Sequence, residues 1–306
     1  MVWWNHHKLA LPRVGLELLP DGLALACSSG TVTDAAITTV TLLPCAVDQR
    51  ESVLVDFVSQ QKLQNAVCNL VLPPSDYQLL LVEAPQVPDE EMRAAVRWRL
   101  KDLINIPLES AVVDLFNLPL GATRSGKRMI FVVVTELQKV QELLTMVAAT
   151  GLKISVIDIA EMALRNLTLL LPPEQTEDRG VAVVRIQQGK GNLGLYRNGN
   201  LYLSRQFELN YGGGLLDELP DEDLILEMQR SVDYAERQMG QTPPSAIYLC
   251  GDNISGDKIT DGIKRGLAAP VCVLPLQSLI SSEQNDAILQ SCAGAIGGAL
   301  RAGKWT

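Results

Sequence analysis

The chain has 306 residues, of which 47% are hydrophobic and 20% are charged, so it can bury a sizeable core without disulfides or a structural metal. Its formal net charge of -9 argues against general binding to nucleic acids or anionic membranes, because both need clustered Lys and Arg. His6 and His7 are the only histidines and stand in the N-terminal segment, which excludes Ser-His-Asp and Cys-His catalysis and His-bound metals from a folded site.

The first part of the chain predicts an α/β unit that opens with a hairpin. Residues 14–26 form two β-compatible runs around the turn residues Pro20, Asp21 and Gly22. The next elements are a strand at residues 35–45, a short amphipathic helix at 52–63 and a buried strand at 65–74, which two prolines end.

Residues 75–151 predict a compact β-α-β-β-α insert. Its strands are predicted at residues 77–85, 110–120 and 127–135, and its helices at 87–107 and 136–150. The first helix has acids in its first turn and apolar residues near helical spacing, which are Met92, Val96, Leu100 and Leu103. Gly151 suits the C-terminus of the second helix.

The remainder predicts a return to the first unit and then a second lobe. A strand at residues 153–159, a helix at 160–171 and a proline-acidic linker at 172–180 come first. The second lobe repeats the opening pattern of strand, hairpin turn and strand between residues 181 and 202. Its later elements are a strand at 201–209, a helix at 221–239, a strand at 246–251, a helix at 256–267 and a strand at 269–276. The small residues of a last helix, at 290–303, predict close packing rather than a ligand site.

Two glycine-rich signatures for phosphate binding are present, and both predict turns instead. Residues 121–127 spell G-x-x-x-x-G-K, but Arg128 stands where a P-loop needs Ser or Thr, and a strand follows. Gly189, Gly191 and Gly194 spell G-x-G-x-x-G, but the next residues continue as a strand and offer no helix N-terminus to a pyrophosphate.

The cysteines and the hydropathy pattern predict a reduced, cytoplasmic protein. Six cysteines lie mostly in apolar runs, and none forms a C-x-x-C pair with metal-ligand spacing. No apolar run approaches about 18 residues, and the start of the chain lacks an h-region followed by a cleavage site. We expect Trp3 and Trp4 to belong to a disordered tail, with weak membrane contact as the alternative.

The order of these segments resembles the actin-like PilM family of type IV pilus assembly proteins, including its MSHA-pilus branch, MshI. The resemblance covers nearly the whole chain and rests on "RVGLEL", "VPDEEMRAAVRWRLKDLINIPLE", "VIDIAEMALRN", "GNLYLSRQFELNYGGG", "AIYLCGDN" and "AGAIGGALR". It implies an α/β, actin-like (ribonuclease H-like) two-lobed fold with an inserted β-α-β-β-α subdomain. The implied first lobe comprises residues 1–78, 152–175 and 292–306, the insert residues 79–151, and the second lobe residues 176–291.

The resemblance also implies a nucleotide cleft that has become vestigial. Nucleotide-binding members carry an aspartate, a glycine-serine turn and a lysine at the first hairpin, where this chain has Glu17, Leu19, Pro20, Asp21 and Ala24. Arg185 stands near a family aspartate that helps to arrange magnesium, and an arginine cannot ligate magnesium. The residues that remain nucleotide-like are Gly212, Gly213, Gly214 and Gly251, with Asp252 where a second glycine is usual. We therefore expect no catalysis, no cofactor and no metal.

Two rival hypotheses keep a nucleotide in the cleft. In the first, the protein is an ATP-binding switch or a slow ATPase that uses magnesium. Glu17 and Asp21 are then residual acids, residues 212–214 the phosphate turn and residues 251–253 the base-side loop. The second, a sugar or small-metabolite kinase of the same superfamily, is disfavoured because no aspartate near the second hairpin suits catalysis.

The resemblance implies a scaffold peripheral to the inner membrane. In the family, the cytoplasmic N-terminal peptide of a single-pass membrane protein resembling PilN docks between the first lobe and the insert. By position, the groove involves the neighbouring strands and the helix residues Met92, Val96, Trp98 and Leu100. Trp98 is the predicted anchor, because an indole offers a large contact area, and the alternative is that it completes the core of the insert. No nucleic acid and no direct membrane insertion are expected, and self-association is left open.

Overall fold

The structure is a computed structural model, and it describes residues 12–29, 36–280 and 282–301. The predictions for Trp3, Trp4, His6 and His7 lie outside the described residues. The strands are β1 (Arg13–Leu19), β2 (Gly22–Ser29), β3 (Ala36–Pro44), β4 (Val67–Leu72), β5 (Gln78–Glu83), β6 (Ala111–Asn117), β7 (Met129–Glu136), β8 (Lys153–Ile159), β9 (Val181–Gln187), β10 (Lys190–Arg197), β11 (Asn200–Glu208), β12 (Ile247–Gly251) and β13 (Val271–Val273). The helices are α1 (Arg50–Gln60), α2 (Asp89–Arg99), α3 (Leu137–Ala149), α4 (Ala160–Thr168), α5 (Pro173–Thr176), α6 (Asp221–Tyr234), α7 (Asp261–Gly266), α8 (Leu276–Leu279), α9 (Asp286–Ser291) and α10 (Ala293–Ala299).

The two lobes share one sheet topology. The first sheet has the strand order β3-β2-β1-β4-β8 and the second the order β11-β10-β9-β12-β13. In each sheet the first three strands of the lobe are antiparallel and the last two are parallel to the first. The central strands are buried on both faces and therefore read as near-continuous apolar runs in the sequence. This repeat confirms the predicted two-lobed α/β fold.

The insert has a sheet of its own. Its three antiparallel strands have the order β5-β7-β6, and their side chains alternate between two faces. One face packs against α2, where Ile130, Val132 and Val134 form a small core with Met92, Val96 and Leu100. The other face, which carries Leu79, Leu81, Phe116, Phe131 and Val133, packs toward the main core of the two lobes. Helix α2 and the body of the protein therefore lie on opposite faces of this sheet.

The C-terminal helix α10 completes the first lobe. All seven of its residues are buried, and it contacts β1, β4 and α4. The contact is close because small residues meet: a Cβ on Gly15 would lie 1.9 Å from the carbonyl oxygen of Ala295, and one on Gly297 would lie 2.1 Å from that of Ala163. Close packing therefore accounts for these glycines, as the sequence predicts.

Several predicted elements differ in detail. The last predicted helix is divided at Cys292, whose backbone is not helical, into α9 and α10. The predicted helix over residues 221–239 is α6 followed by a π-helical turn at Ala235–Met239, and Gly240 ends it with a φ of 75°. The first glycine signature is a turn, with Gly121 and Gly126 in the β6–β7 loop. Of the second, only Gly189 lies in the β9–β10 turn, whereas Gly191 and Gly194 are paired residues of β10. The predicted domain boundaries stay a prediction.

The cysteines lie mostly inside the protein. Cys27, Cys68, Cys250 and Cys292 are buried, whereas Cys272 is exposed and therefore departs from the expected core position. Within the described ranges, no helix is both long and apolar enough to cross a membrane.

Candidate functional site

The hairpins that open the two lobes carry charged residues at equivalent positions. Glu17 on β1 and Arg185 on β9 each stand two residues before the last paired residue of their strand, Leu19 and Gln187. Each also pairs with the next parallel strand of its sheet, Glu17 with Val71 and Arg185 with Cys250. The fold therefore brings an acidic residue, Glu17, and a basic residue, Arg185, from equivalent positions of the two lobes to the cleft.

Glu17 and Arg185 form a buried salt bridge across the cleft. Arg185 Nη1 donates to Glu17 Oε1, and Arg185 Nη2 donates to Glu17 Oε2 at 2.9 Å. The side chain of Arg185 is 3% exposed and that of Glu17 is 0% exposed. Burial alone would lower the pKa of Arg185, but the Glu17 carboxylate outweighs it and raises that pKa above its usual value. Arg185 therefore keeps its positive charge, which the bidentate contact with Glu17 neutralises.

The α9–α10 junction closes over this salt bridge. Arg185 Nη2 also donates to the carbonyl oxygen of Ser291 at 3.4 Å, in the turn where the helix is interrupted. A Cβ on Gly294 would lie 2.3 Å from Glu17 Oε2, so only glycine fits beside the carboxylate. The space between the hairpins and α10 is thus occupied by side chains of the protein itself.

Asp21 and Asp252 lie at the same end of the cleft. Asp21 is an exposed turn residue whose carbonyl oxygen accepts from the N–H of Cys45 at 3.1 Å. Asp252 Oδ2 accepts from the N–H of Gln188 at 3.0 Å. Burial raises the pKa of the Asp252 carboxyl, although the Gln188 N–H and Arg185 act to lower it. The charges of Asp21 and Glu17 also raise the pKa of Asp252, so the three predicted acidic residues lie near one another at this end of the cleft.

The glycines at 212–214 form a loop in which three backbone groups are hydrogen-bonded to side chains of the protein. The N–H of Gly214 donates to Asp217 Oδ2 at 2.8 Å, and its carbonyl oxygen accepts from Lys258 Nζ at 3.0 Å. The carbonyl oxygen of Gly213 accepts from Asn253 Nδ2. A Cβ on Gly213 would lie 3.1 Å from the Cβ of Asp252, so the loop packs directly on the residues after β12.

Gly251 is required by packing on the neighbouring strand. Its φ is 121°, a conformation that favours glycine, and a Cβ there would lie 1.9 Å from the carbonyl oxygen of Ile186. The β12–β9 contact is therefore sufficient to explain this glycine without a nucleotide base.

A second buried polar cluster surrounds Glu161, which the sequence analysis missed. Glu161 lies in the first turn of α4 and is fully buried. Its Oε1 accepts from Asn192 Nδ2 and from Ser204 Oγ, each at 2.9 Å, and its Oε2 accepts from the Tyr77 hydroxyl. Burial and the Glu161 carboxylate raise the pKa of Tyr77 well above its usual value. The cluster joins α4 to strands β10 and β11 of the second lobe and to Tyr77, the residue before β5.

The four predicted partner residues occupy two environments. Met92, Val96 and Leu100 are buried in the small core between α2 and the insert sheet, so they hold the helix in place and offer no surface. Trp98 is 79% exposed, which contradicts the alternative that it completes the core of the insert. A role in partner binding stays a prediction, and of the four it rests on Trp98.

Comparisons with known proteins place the chain in a family. The model of the type IV pilus assembly protein PilM family matches residues 48–242, more than half of the chain. The chain belongs to the PilM family. No curated protein sequence matches it.

Three solved structures are similar in fold to this PilM-family chain. A structure described as the PilM-PilN type IV pilus biogenesis complex is 20% identical, with a TM-score of 0.72, and the match covers 94% of this chain and 97% of that one. A Bacteroides thetaiotaomicron protein with an actin-like ATPase fold is 9% identical, with a TM-score of 0.55 and coverage of 95% and 99%. The cytoplasmic domain of EpsL from Vibrio cholerae is 11% identical, with a TM-score of 0.51 and coverage of 78% and 82%. These likenesses confirm the actin-like fold.

Two polar groups of the cleft already have partners within this PilM-family protein. A triphosphate needs cations or unpaired N–H groups, but Arg185 is neutralised by Glu17 and the N–H of Gly214 is bound by Asp217. The residues that the structure describes include no group of three or more His, Cys, Asp or Glu that could hold a metal.

Proposed function

We propose that this PilM-family protein is a non-catalytic cytoplasmic scaffold of a type IV pilus assembly platform of the MSHA type. It binds the cytoplasmic N-terminal segment of a PilN-like protein of the inner membrane and stays at the membrane through that partner. The partner is suggested by the similar structure, which is described as a PilM-PilN complex. No cofactor is required, because the scaffold works through its surface.

The observation that carries the non-catalytic part is the Glu17–Arg185 salt bridge. For Arg185 to bind a phosphate, it would have to leave Glu17, which lies at 0% exposure with no water to replace its partner. Leaving one member of a buried ion pair alone costs about 3–5 kcal/mol. A nucleotide would have to offset that cost before it gained any affinity.

The partner groove is best placed on the insert sheet, on the face that packs toward the main core. Leu79, Leu81 and Phe116 are half-buried there, between the insert and the lobes. Half-buried apolar side chains in a groove can gain burial when a partner covers them. Trp98 lies on the helix that covers the opposite face, so the two candidate contacts can be tested separately.

Two titrations on the same protein sample test this function. One uses magnesium ATP, and the other uses a synthetic peptide with the cytoplasmic N-terminal sequence of the PilN-like protein from the same organism. We expect calorimetric heat from the peptide and none from magnesium ATP up to millimolar concentration, with an ATP-binding actin-like protein as the positive control. Absence of peptide binding would contradict the scaffold.

A second candidate function, an ATP-binding switch, is favoured by one observation. The glycine loop and the loop after β12 remain packed together, with Gly213 against Asp252, as a nucleotide-binding cleft would need. Micromolar binding of magnesium ATP in the same experiment would replace the non-catalytic scaffold with this switch.

A further inference from the structure

Two consecutive leucines stand outside the second lobe. Leu215 and Leu216, in the loop between β11 and α6, are 77% and 92% exposed. Leu219 of the same loop is buried. The loop therefore has an inner side that packs on the core and an outer side that presents two adjacent leucines, which we call the leucine pair. Leucine side chains are usually buried, because contact with water is unfavourable for them. Two adjacent exposed leucines therefore indicate an interaction site.

Polar contacts fix the position of the leucine pair. On its N-terminal side the buried Tyr211 donates its hydroxyl to the carbonyl oxygen of Asp252 at 3.0 Å. Lys258 binds both the Tyr211 hydroxyl, at 3.1 Å, and the carbonyl oxygen of Gly214, at 3.0 Å. On its C-terminal side Asp217 Oδ2 accepts from the N–H of Gly214 at 2.8 Å. Tyr211 and Lys258 tie the N-terminal end of the loop to the second lobe, and the Asp217–Gly214 bond closes the loop on itself. The buried Leu219 anchors its C-terminal end, so the leucines are held outward by the conformation of the loop.

An acidic edge borders the leucine pair. Glu218, Glu222 and Asp223 are exposed, and no side chain in the described ranges pairs with theirs. Lys258, the cation that contacts this loop, is already engaged with backbone and hydroxyl oxygens. Leu226, which is one turn beyond Glu222 on α6, is also exposed. The surface thus combines exposed leucines with uncompensated negative charge.

We propose that the leucine pair and the acidic edge form a docking surface for a basic amphipathic segment of a second protein. Apolar side chains of that segment cover the leucine pair, and its Lys or Arg side chains pair with the acidic edge. A second copy of this chain fits poorly, because a symmetric contact would set two acidic edges and two net charges of -9 against each other. This surface lies in the second lobe, so it is separate from the groove at the insert and goes beyond the proposed function.

The test uses the full chain and a synthetic helical peptide of about 18 residues with a leucine face and a lysine face. Its binding is followed by fluorescence anisotropy at low and high salt. We expect binding that weakens with salt, and at least about a tenfold loss of affinity in the variant Leu215→Ser/Leu216→Ser. The variant Glu218→Gln/Glu222→Gln/Asp223→Asn should bind several-fold more weakly and lose most of the salt dependence. Leu120→Ser, which changes an 85% exposed leucine of the insert, is the matched control and should bind like the wild type.

Three results would overturn the docking surface. One is equal peptide affinity in the wild type and in the Leu215→Ser/Leu216→Ser variant. Another is equal binding of a peptide in which glutamates replace the lysines. The last is a dimer in analytical ultracentrifugation that this leucine variant dissociates, since the occupant would then be a second copy. Because these positions are exposed, urea denaturation should show unchanged stability, and titration of the PilN-like peptide against the same variant keeps the two proposals separate.

Discussion

Glu17 and Arg185 stand at the same position of two hairpins that share one topology, and they bind each other across the cleft between the lobes. The pseudo-symmetry of the fold therefore sets a carboxylate opposite a guanidinium, in bidentate geometry and away from water. This ion pair links the two lobes. It also neutralises Arg185, the one arginine of β9.

The first prediction concerns the energy of this pair. Arg185→Met should lower the free energy of unfolding by about 3–5 kcal/mol, because it leaves the Glu17 carboxylate buried without a partner. The double variant Glu17→Leu/Arg185→Met should regain most of that loss, since replacing both charges removes the unpaired one. Urea denaturation measures both values.

A matched control for the first prediction is the exposed pair of Arg93 and Asp114, joined at 2.7 Å. Arg93→Met should cost no more than about 1 kcal/mol, because exposed pairs are screened by water. If the double variant at the buried pair is as unstable as the single one, the loss does not come from an unpaired charge.

The second prediction concerns the Glu161 cluster. Tyr77→Phe removes only the hydroxyl that donates to Glu161 Oε2 and should lower the free energy of unfolding by about 1–3 kcal/mol, since a buried acceptor is left unsatisfied. Tyr248→Phe is the control: its hydroxyl donates to the neutral Gln175 Oε1 at 2.7 Å, and its loss should cost about 0.5–1.5 kcal/mol. Equal costs in thermal unfolding would argue against a special role for Glu161.

The third prediction concerns pH. Burial raises the pKa of the Asp252 carboxyl above its ordinary value of 3.8, so the folded state holds this proton after the unfolded state has released it. The stabilisation that the protonated Asp252 gives to the folded state is therefore fully present below pH 3.8. It is lost as the pH rises through the raised pKa of the folded state. Asp252→Asn should be more stable than the wild type at neutral pH, and the gain should vanish in acid. Denaturation midpoints across a pH series give the slope, and a wild-type slope in the variant would contradict this origin.

The fourth prediction separates the two candidate contacts for the PilN-like peptide. If the groove on the insert sheet holds the peptide, Leu81→Ser should weaken binding by about tenfold, whereas Trp98→Ala should do so if α2 carries the contact. Because Trp98 is exposed, its substitution should change the free energy of unfolding by no more than about 0.5 kcal/mol. Calorimetric titration of both variants decides between the surfaces, and a Trp98→Ala protein that unfolds while its affinity is unchanged would show a structural role.

The two lobes could be predicted from the sequence, because the residue patterns that mark their strands and turns are local. Turn residues such as Pro20 and Asp21 and short apolar runs mark the hairpins directly. The salt bridge is different, since Glu17 and Arg185 are 168 residues apart and each appears as a lone charge in an apolar strand. Sequence reasoning could recognise that neither suits a nucleotide, but only the arrangement of the lobes reveals that they bind each other.

The insert shows a second limit of sequence reasoning. The spacing of Met92, Val96 and Leu100 identifies the apolar face of α2, and the structure confirms that this face is buried. Strand β7 is apolar on both faces, so its alternation does not indicate which face meets α2 and which meets the lobes. Glu161 was missed for a related reason, because an acid in the first turn of a helix is a common surface feature.

The position of α10 has a consequence for synthesis of the protein. This helix is covered by β1, β4 and α4, yet it comes from the last residues that the structure describes. The second lobe is encoded continuously from β9 to β13 and can fold while the ribosome is still working. The first lobe, although its strands emerge earliest, stays incomplete until α10 has been synthesised, and the apolar surface that α10 covers remains exposed in the meantime.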